Sequence, residues 1–124
     1  MLNGFIWPKK KPVRDARPQQ NSDPWIWYAA NLETVFRAAR RAISASRYSY
    51  LSSDNESGLM WFNAHGWYYK EGAMLTIEME QKDGGIRVRV TDEYSATQGT
   101  LPAKNKAKIQ TKILRELDLQ LARS

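Results

Sequence analysis

A chain of 124 residues with 42% apolar and 26% charged residues is long enough to bury one core, and its composition is that of a globular protein rather than a disordered or fibrous one. It contains no cysteine, which excludes disulfides, thiolate nucleophiles and Cys-ligated zinc or iron–sulfur clusters. The formal net charge of +6 is unevenly placed: +3 over residues 1–24, +3 over 25–47, −4 over 48–100 and +4 over 101–124.

Residues 1–24 hold four of the five prolines and five basic residues, with little that is apolar after Trp7. They read as a flexible basic Pro-rich tail, and 25–124 as a single α+β domain. Within the tail, Leu2, Phe5, Ile6 and Trp7 precede Lys9, Lys10 and Lys11. An apolar plug beside a polybasic cluster has the two ingredients of attachment to an anionic membrane, while the prolines at 8 and 12 prevent a long amphipathic helix. The charges follow the apolar patch, the reverse of a secretory signal, and no run of 18 apolar residues exists, so no transmembrane segment is expected. As written, the chain reads as cytoplasmic; removal of a leader would make it periplasmic or membrane-peripheral.

After Pro24, the bulky run Trp25–Tyr28 suits a short strand. Asn31 is placed to cap a helix over 32–46, whose apolar residues Leu32, Val35, Phe36, Ala39, Ala42 and Ile43 share one face, with Glu33, Arg37, Arg40 and Arg41 on the other. A weakly alternating strand over 48–53 leads into the turn cluster 54–58, and its hairpin partner runs from Leu59 to His65.

The best-determined segment is 73–94. If Asp83 and Gly84 form a type I′ turn, Gln81 pairs with Ile86, Glu80 with Arg87, Met79 with Val88, Glu78 with Arg89 and Ile77 with Val90. Turn chemistry, apolar alternation and cross-strand charge pairing all select this one register. Pro102 then opens a C-terminal helix in which Ile109, Ile113, Leu114, Leu117 and Leu121 oppose Lys104, Lys108, Lys112 and Arg115.

The expected fold is an α+β two-layer sandwich in the order (β)-α-β-β-β-β-α. Its antiparallel sheet has four strands, or five if the run at 25–28 joins it, and both helices pack on one face. This element order resembles the helix-grip, or TATA-binding-protein-like, arrangement of small bacterial envelope modules, including the domains of the outer-membrane assembly lipoprotein BamC. The resemblance spans residues 25–122 and implies a fold; it transfers no functional residue.

Candidate chemistry is sparse. His65 is the only histidine, near Trp61 and Trp67, with no nucleophile motif around it. Asp54 and Glu56 before Gly58 lack the further oxygen donors of a calcium loop. Glu78 and Glu80 share a strand face and are accounted for by Arg89 and Arg87. No phosphate-loop, dinucleotide-binding, nucleophile-elbow or zinc-protease motif occurs, so the chain reads as a non-enzyme with no cofactor and no metal.

Three binding readings follow. The leading one is a protein-binding or assembly module, engaging another protein or a second copy through an aromatic surface of Trp61, His65, Trp67, Tyr68 and Tyr69. The second is a nucleic-acid or anionic-membrane binder that uses Lys9, Lys10 and Lys11 together with a helix layer carrying Arg37, Arg40, Arg41, Lys104, Lys108 and Lys112. The third is a small-ligand-binding domain.

Overall fold

A computed structural model describes residues 23–66, 69–92 and 103–123 of the chain; for residues 65–66 and 69–72 it describes the backbone alone. The elements are β1 (Ile26–Tyr28), α1 (Leu32–Ala45), β2 (Ser49–Asp54), β3 (Leu59–Gly66), β4 (Tyr69–Lys82), β5 (Gly85–Asp92) and α2 (Ala103–Arg123). The strands form one antiparallel sheet in the order β1-β5-β4-β3-β2. The run at 25–28 therefore does contribute a fifth strand, added at the β5 edge.

Period-2 alternation decides which face the helices cover. Met60, Phe62 and Ala64 of β3, Ala73, Leu75, Ile77 and Met79 of β4, and Ile86, Val88 and Val90 of β5 are all buried. They meet Val35, Ala38, Ala39, Ala42 and Ile43 of α1 and Ile109, Ile113 and Leu117 of α2 in one core. The two helices also pack on each other.

Local chemistry sets the boundaries. The Asn31 side chain accepts the Thr34 amide at 2.8 Å, capping α1 as its sequence requires. At the other end the Tyr48 amide donates to Ile43 O and the Arg47 amide to Ser44 O, both at 3.0 Å, a Schellman closure in which Arg47 takes the left-handed conformation at φ +66°. Asp83 (φ +52°) and Gly84 (φ +80°) make the expected type I′ turn, and the β4–β5 register is the one deduced from it, from Ile77↔Val90 to Gln81↔Ile86.

Gly58 closes the β2–β3 turn at φ +74°. Its amide donates to Asp54 O at 2.9 Å, and its carbonyl accepts the Met79 amide at 2.7 Å. That second bond brings the β4 backbone so close that a Cβ at position 58 would collide with the Met79 carbonyl. Gly58→Ala therefore combines left-handed strain with a clash against backbone, and should lower stability by about 2–3 kcal/mol. Urea denaturation followed by tryptophan fluorescence reads this directly; an unchanged midpoint would contradict the account.

Candidate functional site

Six of the basic residues singled out in the sequence lie on the two helices, which pack on each other. Arg37, Arg40 and Arg41 lie on the solvent side of α1, and Lys104, Lys108 and Lys112 on that of α2, all exposed. Along α2 the three lysines recur every four residues, about 6 Å apart on one row. The helices run antiparallel: Lys112 reaches Tyr48, just past the end of α1, at 5.4 Å from the ring centroid, whereas Asp118 accepts the hydroxyl of Tyr28, before the start of α1, at 2.8 Å. Burial, then that hydrogen bond to Asp118, raises the pKa of Tyr28, so its hydroxyl stays a donor throughout the physiological range.

Pairing separates the two layers. On the sheet face away from the helices, the Arg87 Nε donates to Glu80 at 2.7 Å and the Arg89 guanidinium to Glu78 at 3.2 Å. The Trp25 ring lies over both guanidiniums, 4.0 and 4.4 Å from its centroid. These arginines are neutralised in place, as their register predicts. On the exposed side of the helix layer, among the described residues, only Arg37 has a carboxylate partner, Glu33 at 3.1 Å. Among the described residues Arg40, Arg41, Arg47, Lys104, Lys108 and Arg115 have none. Unpaired cations on one layer and paired ones on the other give the domain a positive helix side.

Arg47 belongs to this surface and was not singled out from the sequence. A glycine would relieve the left-handed strain at that helix terminus; an arginine there keeps a further exposed cation beside Arg40 and Arg41 in sequence.

The aromatic candidates are distributed otherwise. Trp61 is half-buried, paired with Thr76 on the sheet face away from the helices. His65 lies in β3 and Tyr69 in β4, with side chains outside the described set, and Trp67 and Tyr68 lie outside the described residues altogether, as do Lys9, Lys10 and Lys11. Two tryptophans not counted in the sequence-based surface share the face of Trp61. Trp25 stacks on the two arginines, and Trp27, 49% exposed, donates its indole N–H to Lys82 O at 2.7 Å. Their signal was the register of β1, which alone decides that Trp27 stands beside Arg87 on that face.

A second constellation escaped the sequence reading. Asp23, placed there in the tail, is only 8% exposed. Its Oδ1 accepts Lys106 Nζ at 2.9 Å and Gln110 Nε2 at 3.1 Å, while Lys106 also reaches Asp92 at 3.0 Å. Asp23 is thereby tied to the C-terminal helix through both Lys106 and Gln110. The signal for Lys106 was its phase, since it precedes Ile109 by three residues and Ile113 by seven, on the buried stripe of α2.

Among the described residues no group of three or more acidic or histidine side chains is arranged to hold a metal ion, and no helix is long and apolar enough to cross a membrane. No protein-family model matches the chain, and no curated protein matches it.

Proposed function

We propose that the protein is a non-enzymatic binding module that docks on the phosphate backbone of nucleic acid through its helix layer. The observation that carries this reading is the pairing asymmetry: the sheet's arginines are neutralised by glutamates, while the exposed side of the helix layer presents a set of cations that have no carboxylate partner among the described residues. A phosphate polymer rewards such a surface because each neutralised phosphate releases counterions. A lipid surface fits less well. Binding in the membrane interface requires apolar side chains among the cations, and of the exposed large hydrophobic residues among those described only Leu119 belongs to the helices.

The test is fluorescence anisotropy with a labelled 20-base-pair duplex across a salt series. With about six phosphates contacted, log K should fall against log salt with a slope of about −5, a loss of about a thousandfold between about 50 and 200 mM salt. Binding that is absent at low salt, or insensitive to salt, would remove the reading.

A protein or second copy docked on the opposite sheet face is the second reading. It is supported by Trp25, Trp27 and Trp61 sharing that face, with Trp27 half exposed. A Trp27→Ala variant separates the two, since it should weaken self-association or partner capture and leave duplex binding unchanged.

A further inference from the structure

We infer that the cleft between α1 and the β2–β3 hairpin is a binding site for a small amphipathic monoanion, an apolar body bearing one carboxylate head. This site is separate from the phosphate-backbone reading, although Arg40 stands at the border of both.

The cleft measures about 510 Å³, inside the range of about 300–1,000 Å³ in which small-molecule sites fall. Its walls divide by chemistry. Leu32 and Phe36 of α1 and the buried Met60 of β3 supply apolar surface, while Arg37 and Arg40 of α1 and Ser53 and Asn55 across from them supply the polar groups. Helical spacing explains the mixture: Leu32, Phe36 and Arg40 follow at i, i+4 and i+8, so one row of α1 passes from apolar to cationic along the cleft.

The charge balance selects the ligand. Glu33 also lines the cleft and holds Arg37 at 3.1 Å, so those two charges offset each other and, among the described residues that line it, Arg40 remains as the single net cation. Arg40 is positioned rather than free to swing: its guanidinium carbon stands 4.1 Å from the centroid of the Tyr50 ring, and the Tyr50 hydroxyl is 2.8 Å from Ser53 Oγ. Stacking occupies the face of the guanidinium and leaves its in-plane N–H groups available, with no carboxylate among the described residues taking them. A planar fork of donors at the border of an apolar cleft matches a carboxylate on an apolar body. A dianionic head would find one uncompensated cation where it needs two, and a neutral alcohol would leave the fork unused.

The experiment is an amide NMR titration of the full chain with octanoate, octanol and octyl phosphate. Octanoate should shift residues 32–40 and 53–60 in a saturable way, with octanol weaker by about tenfold or more, the equivalent of one charge-assisted hydrogen bond. Arg40→Gln should cost a similar factor. Asn55→Trp, at an exposed turn position where the indole fills the cleft, should abolish octanoate binding while duplex binding stays at the parental level. Octanol binding as well as octanoate, octyl phosphate binding more tightly than octanoate, unaltered octanoate affinity in both variants, or octanoate shifts confined to Trp27 and Leu51 would each overturn the inference.

Discussion

Lys106→Ala should destabilise the domain by about 3–5 kcal/mol, because it strips the cation from two carboxylates that the fold has already removed from water. Asp23 and Asp92 are 8% and 5% exposed, and Lys106 is 8% exposed between them. Burial opposes the charge on Lys106, but its hydrogen bonds and Coulomb attraction to the two aspartates outweigh burial and raise its pKa. Without it, each aspartate must stay ionised in an apolar setting or take up a proton. Removing the whole cluster, as Asp23→Asn, Lys106→Met and Asp92→Asn together, should restore most of the loss, since no uncompensated charge then remains. Chemical denaturation of the single and triple variants decides it, and a single variant as stable as the parent would show that the cluster holds nothing.

The same cluster sets a pH dependence with a definite sign. Asp23 gains one oxygen's worth of partners: Oδ1 takes Lys106 and Gln110, whereas Oδ2 is buried without a hydrogen-bond partner among the described residues. Burial therefore dominates, and its pKa is raised above the ordinary 3.8. Between 3.8 and that higher folded value the native state binds the proton more tightly than the unfolded chain does. The contribution of Asp23 is thus fully present below 3.8 and is lost as pH rises through its folded pKa. The parent should lose stability relative to Asp23→Asn over that interval, read as the difference in urea midpoints across a pH series. Lys106 acts at the alkaline end: its contribution is full below 10.5 and is lost as pH rises through its elevated folded value.

The parts of the fold legible in the sequence were those where independent local rules agreed. At Asp83–Gly84 the positive-φ turn, the apolar alternation and the Glu–Arg pairs all depend on one register, and that register is observed. At Asn31 a cap and a 3.6-residue stripe coincided, and α1 begins at the next residue. The Asp23–Lys106–Asp92 cluster had no such redundancy. Its members lie 83 and 14 residues apart along the chain, and Lys106 stands between Lys104 and Lys108, which differ from it only in helical phase. The cleft is a product of tertiary placement, since Arg40 and Ser53 become opposite walls only once β2 folds back beside α1. The basic layer was legible because exposed charge follows from periodicity alone; the pairing that distinguishes it from the sheet required the cross-strand register as well.

The salt slope itself identifies which cations meet phosphate. Each lysine or arginine that neutralises a phosphate of duplex DNA contributes about 0.9 to the slope of log K against log salt, so three contacting residues contribute about 2.7. Changing Arg37, Arg40 and Arg41 to glutamine should shallow the slope by about 2, since Arg37 is already paired with Glu33, and changing Lys104, Lys108 and Lys112 should shallow it by about 2–3. Glutamine keeps helix propensity close to that of the residues it replaces, and all six positions are exposed, so stability should fall by no more than about 1–2 kcal/mol in either set, the loss coming from the Arg37–Glu33 pair and the contacts of Arg40 with Tyr50 and Lys112 with Tyr48. Changing Lys9, Lys10 and Lys11 supplies the contrast. If both helix sets shallow the slope, the two antiparallel helices form one surface on the nucleic acid, and combining the sets should leave little affinity at about 150 mM salt. If the lysines at 9–11 alone change it, the helix layer is solvated surface and the contact belongs to the N-terminal residues, which overturns the assignment of the site while keeping the ligand class.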